Sequence, residues 1–149
     1  MLPINPWEHP NALKKLYSRC VGDVCVRHRI SRMELDILLF LANNPRYDTA
    51  TDIVDIRYLS KSQVSASIRL LEKCGYIRKE YTSGNRKTAH LKICEAAAEI
   101  LRDGKAAQEK FLSIMMEDFS PDEQICMKQY YDRIYHNISR YLKEEKNDF

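Results

Sequence analysis

Apolar residues recur along this chain at two different periods, and the points where the period changes divide it into elements. From about Asn11 to His28, Leu13, Leu16, Tyr17, Cys20, Val21, Val24 and Cys25 fall three and four apart, which predicts an amphipathic helix with one buried face. Ser31 and Glu34 make a capping box for a second helix, and its body, Leu35 to Leu41, is apolar nearly all round. A helix without a polar face belongs at the centre of a domain. Asn43-Asn44-Pro45 stops it. Thr49 is placed to cap a short helix over Ala50–Ile56, and Ser60 to cap another over Lys61–Cys74, with Gly75 as its left-handed stop.

The period then drops to two. Ile77, Lys79 and Tyr81 alternate with Arg78 and Glu80, and Ala89, Leu91 and Ile93 alternate with Thr88, His90 and Lys92. Ser83-Gly84-Asn85 between them predicts the turn of a β-hairpin. Helical spacing returns from Glu95 to about Asp118, with Ala97, Ile100, Leu101, Ala107, Phe111, Ile114 and Met115 in one stripe. Ser120-Pro121-Asp122-Glu123 opens a last helix carrying Met127, Tyr130, Tyr131, Ile134, Ile138, Tyr141 and Leu142 on one side. The tail from Glu144 is expected to fray, and the segment holding Pro3, Pro6 and Pro10 to run as an extended arm. The predicted class is mostly α with a small β-hairpin wing. A helix-turn-helix followed directly by a hairpin is the winged-helix arrangement.

Composition narrows the function classes. At 149 residues, 44% hydrophobic and 30% charged with four Gly and five Pro, the chain is long enough for one helix-leaning domain with a real core. The longest apolar run is Ile37–Ala42, too short for a membrane span, and the N-terminus lacks a secretory pattern, so a cytosolic location is expected. Five scattered cysteines without a C-x-x-C pair argue against a disulfide framework, and His9, His28, His90 and His136 lack metal-ligand spacing. There is no G-x-S-x-G, P-loop, G-x-G-x-x-G or H-E-x-x-H, so no enzyme, catalytic residue, metal or cofactor is expected.

The net charge of +3 says little, but its distribution says more. Between Ser60 and Ile93 eight Lys and Arg face two Glu, a net of +6 against −3 for the remainder. A basic block inside a mildly acidic chain is the footprint of a phosphate-binding surface. On the helix from Lys61, 100° steps put Val64, Ile68 and Leu71 inward. Ser62, Gln63, Ala66, Arg69 and Lys73 then point outward, with Lys61 and Ser65 near the first turn. Small polar and basic side chains there suit a helix entering the major groove, although an ordinary solvated face has similar content. Ser62, Ser65 and Ser67 within six positions are poor helix formers, which favours the groove reading. The hairpin tip, Ser83 to Lys87, adds Arg86 and Lys87 for the backbone or minor groove.

The run from Leu38 to Cys94 resembles the DNA-binding core of the MarR family of bacterial regulators. The resemblance rests on Leu59-Ser60-Lys61-Ser62-Gln63-Val64-Ser65 and on Leu71-Glu72-Lys73-Cys74-Gly75-Tyr76-Ile77. It implies a homodimer whose N- and C-terminal helices interlock, with residues 31–94 as the DNA-binding lobe and residues 1–30 and 95–149 as a helical dimerisation region. It implies a double-stranded operator, usually repressed, and a small aromatic ligand in a cleft for which the nine tyrosines and Trp7 are candidates. The DNA contacts expected from the helix face and the hairpin are Ser62, Gln63, Ser65 and Arg69 in the major groove, Lys61 and Lys73 on phosphate, and Arg86 and Lys87 from the wing. The chain departs from the family at the wing, with Asn85-Arg86-Lys87 for Asp-x-Arg, at Ala66 where Arg is common, and at Cys94 where Thr is common. Two alternatives use the same fold: a thiol redox sensor through Cys20 or Cys25, and a winged-helix protein-interaction module.

Overall fold

The computed structural model describes residue 5 and residues 8–147, with side chains to residue 143. In chain order these form α1 (Ala12–His28), α2 (Arg32–Asn43), α3 (Ala50–Arg57), α4 (Lys61–Lys73), β1 (Ile77–Thr82) and β2 (Asn85–Ile93). A 3-10 turn over Glu95–Ala97, α5 (Ala98–Met115) and α6 (Pro121–Asn147) follow. The chain divides into two compact units, residues 1–111 and 112–149. Helices and one antiparallel hairpin follow the two periods read from the sequence.

Pro3, Pro6 and Trp7 lie outside the described residues. The part of the arm that follows turns instead of extending: Ala12 N donates to His9 O at 3.4 Å. Proline's fixed φ suits a turn as readily as an extended strand. At the other end the helical backbone of α6 continues past Glu144 to Asn147, where fraying was expected.

The core is assembled around α2. Its capping box is complete: Glu34 N donates to Ser31 Oγ at 3.1 Å, and Ser31 N to Glu34 Oε1 at 3.3 Å. Leu35 and Ile37 to Leu41 are all buried. They are enclosed by Val21 and Val24 of α1, Ile53 of α3, Val64, Ile68 and Leu71 of α4, Ile77 and Leu91 of the hairpin and Ile100 of α5. At about 1.5–3 kcal/mol for each buried aliphatic side chain, this cluster carries most of the driving force. Leu13, assigned to the buried face of α1, is 54% exposed, because that helix meets the core only from Leu16 onward. Gly104 explains how closely α5 approaches α2. A Cβ there would stand 3.1 Å from Leu39 Cδ2 and 3.2 Å from Leu35 Cδ1.

Polar bonds tie the outer helices to this core. Gln108 Nε2 donates to the Tyr17 hydroxyl at 3.1 Å, and Tyr17 meets Phe111 edge-on at 5.1 Å between ring centroids. The Arg32 guanidinium lies 4.4 Å from the centre of the Tyr17 ring while its Nε reaches Asp36 at 3.0 Å. Asp103 of α5 accepts from His28 Nε2 at 2.8 Å and from Arg27 Nη1 at 2.9 Å, joining α5 to the end of α1. The His28 bond holds the Asp103 carboxyl below the usual aspartate value against a desolvation cost, with Arg102 and Arg27 adding to it.

The unit from residue 112 holds the end of α5, the turn at Asp118 (φ +64°) and α6. Glu123 N donates to Ser120 Oγ at 3.2 Å and Ser120 N to Glu123 Oε2 at 2.7 Å, the second capping box expected from the sequence. Ile125, Tyr130, Tyr131, Ile134, Ile138 and Tyr141 of α6 are exposed, as is Ile114 at the end of the apolar stripe of α5.

Replacing Gly104 with Val should lower unfolding stability by about 2 kcal/mol, because the added methyls meet Leu35 and Leu39. Urea titration followed by circular dichroism measures it; an unchanged midpoint would place α5 farther from α2. Asp103 contributes stability that is fully present above the unfolded aspartate value of about 3.9 and is lost as pH falls through the lower folded value. The stability gap between the native chain and Asp103→Asn is therefore expected to be largest near neutrality and to close on acidification. A gap independent of pH would show that the carboxylate charge contributes nothing.

Candidate nucleic-acid interface

The turn between α3 and α4 sets the recognition geometry. Thr49 and Asp52 form a capping box at the start of α3, with bonds of 3.1 Å in both directions. The helix ends at Tyr58 in a left-handed conformation (φ +52°), a sharp reversal that hands the chain to Ser60 two residues later. Ser60 Oγ accepts from Gln63 N at 3.2 Å and starts α4. Gly75, at φ +76°, lets the backbone turn into β1 where a residue with a Cβ would be strained.

α4 has the two faces expected of it. Val64, Ile68 and Leu71 are buried. Lys61, Ser62, Gln63, Arg69 and Lys73 are exposed, and Ser65 and Ala66 are half-buried. Ser67 is the exception: it is only 8% exposed, so its small size serves packing and it does not belong to the outward face.

In the hairpin, Ile77 stands opposite Ile93 and Lys79 opposite Leu91, with the core beneath. Arg78 opposite Lys92 and Glu80 opposite His90 form the outer face. Beyond that the register breaks. The next pair is Thr82 with Asn85, so Tyr81 alone faces the four residues Arg86 to Ala89. The turn is therefore only Ser83-Gly84, with Gly84 at φ +80°, and Arg86 and Lys87 lie within β2 on its bulged stretch instead of at a five-residue tip. Asn85 shapes this bulge: its Oδ1 accepts from Lys87 N at 3.0 Å and Thr88 N at 3.3 Å. An Asx turn of this kind fixes the local backbone without a carboxylate.

The fold brings some of the sequence-derived residues together. Ser65 and Arg69 of α4 and Lys87 of β2 line one cleft of about 410 Å³ with Thr51 of α3 and Lys79 of β1. Lys61 and Ser65 line a second groove against Thr51 and Asp55 of α3. Arg86 lies with Lys87 on the bulged stretch beside the turn. Lys73 is at the far end of α4, next to the turn into β1. Lys79 and Thr51 were not singled out in the sequence. Lys79 was hidden because its position in the alternation marked it as inward-facing.

The ion pairs sort the basic block. Arg78 is taken by Glu80 at 2.6 Å, Lys79 by Glu72 at 3.3 Å and Lys92 by Asp48 at 2.9 Å. Among the described residues, Lys61, Arg69, Lys73, Arg86 and Lys87 form no ion pair, so both acidic residues of the segment are spent on other cations. Uncompensated positive charge is thereby concentrated on the outer face of α4 and the wing.

The thiols are less suited to sensing. Burial pushes the Cys25 thiol up, and the opposing Arg32 does not offset it; thiolate chemistry needs the reverse shift. Cys20 is half-buried on a shallow cleft with Asp23, Arg27 and Asp103. The nine tyrosines are dispersed. Tyr17 and Tyr76 pack on the core, while Tyr47, Tyr58, Tyr81, Tyr130, Tyr131, Tyr135 and Tyr141 are exposed. Among the described residues no three His, Cys, Asp or Glu gather as metal ligands, and no helix is long and apolar enough to cross a membrane.

Helix, turn, outward-faced helix and two-stranded hairpin in this order define a winged helix-turn-helix. Residues 30–87 match the model of the MarR family. Solved structures share the fold over nearly the whole chain. A protein described as a MarR family transcriptional regulator from Listeria monocytogenes, complexed with a 26mer DNA, aligns at 17% identity. It covers 96% of each chain, with a TM-score of 0.79. A MarR structure aligns at 18% identity over 97% of this chain and 98% of that one, with a TM-score of 0.75. The transcriptional regulator SlyA aligns at 13% identity over 94% and 98%, with a TM-score of 0.78. No curated protein matches the sequence.

With a thiol reagent near neutral pH, the exposed Cys74 should react well ahead of Cys25. Mass spectrometry of the labelled, folded protein reads the order, and faster labelling of Cys25 would reopen redox sensing.

Proposed function

We propose that this protein is a MarR-family DNA-binding transcription regulator that represses by occupying a pseudo-palindromic operator as a homodimer. Residues 31–94 are the DNA-binding lobe, and residues 1–30 and 95–149 the helical dimerisation region. The observation that carries the reading is the pairing pattern. Among the described residues, the cations of this segment left without carboxylate partners, Lys61, Arg69, Lys73, Arg86 and Lys87, are those on the outward face of α4 and on the wing.

In this reading the N-terminal half of α4 enters the major groove. Ser62, Gln63, Ser65 and Arg69 face base edges, and the small serines allow close approach. Lys61 and Lys73 contact phosphate, and Arg86 and Lys87 reach the backbone or minor groove from the wing. Half-sites lie about 10 bp apart, one helical turn. The exposed tyrosines and isoleucines of α6 fit a helical dimerisation surface. The location is cytosolic, the function needs no catalysis, and a small aromatic ligand relieves binding. A protein-interaction module would not need this uncompensated charge, and a redox sensor is disfavoured at Cys25 by its raised thiol.

Selection of bound fragments from a random duplex pool should enrich a palindrome; enrichment of none overturns the proposal. Replacing Arg86 and Lys87 with Ala should weaken operator binding and flatten its salt dependence by about one to two logarithmic units. An unchanged slope removes the wing from the interface. Gln63→Ala should alter sequence preference more than total affinity, and equal losses on every duplex would make Gln63 a phosphate contact.

A further inference from the structure

Asp48 is the last residue of the loop between α2 and α3, immediately before Thr49, the N-cap of α3. It holds three consecutive residues of β2. Its main-chain oxygen accepts from Leu91 N at 2.7 Å, its Oδ1 from His90 Nδ1 at 2.8 Å and its Oδ2 from Lys92 Nζ at 2.9 Å. The charged groups facing His90 and Lys92 across the hairpin are Glu80 and Arg78, and these already bind one another. Asp48 is thus the acceptor left for both. Burial opposes its ionisation, but the bonds from His90 and Lys92 outweigh that and hold its carboxyl below the usual aspartate value.

The position of this contact along the hairpin matters more than its strength. Leu91 is the last buried residue at the wing end of β2, and residues 80–88 are all exposed. A two-stranded hairpin is marginal alone in water, so the direction of the free part is set where it last touches the rest of the fold. The three bonds to residues 90–92 lie at that point, directly before the bulge carrying Arg86 and Lys87.

We propose that Asp48 is the positioning residue of the wing. Its clasp on His90 and Lys92 fixes Arg86 and Lys87 relative to the outward face of α4, and so sets affinity for duplex DNA. The inference rests on the DNA-binding reading above and adds to it a residue that touches no DNA. Loop and wing become one unit: whatever places α3 on the duplex places the wing as well.

The test uses the full chain, with amide hydrogen exchange in the absence of DNA and binding to a duplex that the native protein selects. Asp48→Ala should raise exchange over residues 86–92 about tenfold, the scale of a lost charge-assisted hydrogen bond, while α2 and α5 stay protected. Affinity should fall about tenfold, and the salt dependence should flatten as it does when Arg86 and Lys87 are removed. His90→Phe and Lys92→Met each remove one arm of the clasp without altering the loop, and either serves if Asp48→Ala does not fold. Their losses on the Asp48→Ala background should be far from additive. Unchanged exchange overturns the clasp. Faster exchange with unchanged affinity and salt slope overturns the positioning role and leaves a structural bond. If the native chain selects no duplex, the DNA reading itself falls and the proposal falls with it; a loss confined to the variants strikes neither.

Discussion

A helix that is apolar nearly all round has to be enclosed on most sides, and that requirement at α2 organises the larger unit. Leu35 and Ile37 to Leu41 are buried, and the line of Arg32, Asp36 and Asn43 is open to water. α1, α3, α4, α5 and the hairpin each supply apolar residues to the same cluster. Gly104 marks where enclosure is tightest, because α5 approaches with no side chain between its backbone and two leucines. Loss of dispersion contacts in such a centre is expensive, so the surrounding elements have little freedom of placement. The orientation of α4 follows from this. Its apolar stripe is committed to α2, and the remaining face is turned outward.

Charge placement refines that outward surface. The block from Ser60 to Ile93 contains its own carboxylates, and a count along the chain treats all eight cations alike. In the folded protein Glu72 and Glu80 neutralise Lys79 and Arg78, and Asp48, from outside the block, binds Lys92. The two exposed pairs, at Glu72 and Glu80, contribute little to stability. Their larger effect is on the field, since they cancel positive charge at the base of the hairpin and leave it on the exposed side of α4 and the wing. Interaction with a polyanion depends on that residual distribution.

The wing shows how one substitution is accommodated. Asn85 occupies a position where a carboxylate would offer charge, and it supplies hydrogen bonds to two successive backbone amides instead. Satisfying those amides shapes the bulge that contains Arg86 and Lys87. Local backbone order at the tip is thus independent of an aspartate–arginine pair. The orientation of the whole hairpin is a separate matter and involves the distant loop residue Asp48.

Much of the fold was legible in the chain because its signals are local. Capping boxes at Ser31, Thr49 and Ser120, the glycine stop at Gly75 and the change of period at Ile77 each act within a few residues, and all are realised. The inward and outward faces of α4 follow from a 3.6-residue period and needed no tertiary information, apart from Ser67. What the chain left open depends on residues far apart in sequence. Asp48 meets His90 and Lys92 across more than forty positions, and Gly104 meets Leu35 and Leu39 across more than sixty. The hairpin register, which moved Arg86 and Lys87 from the tip into a bulged strand, was decided by pairing across the sheet. Periodicity tells which face of an element is apolar. Only packing determines which distant groups meet there, and hence which charges remain free.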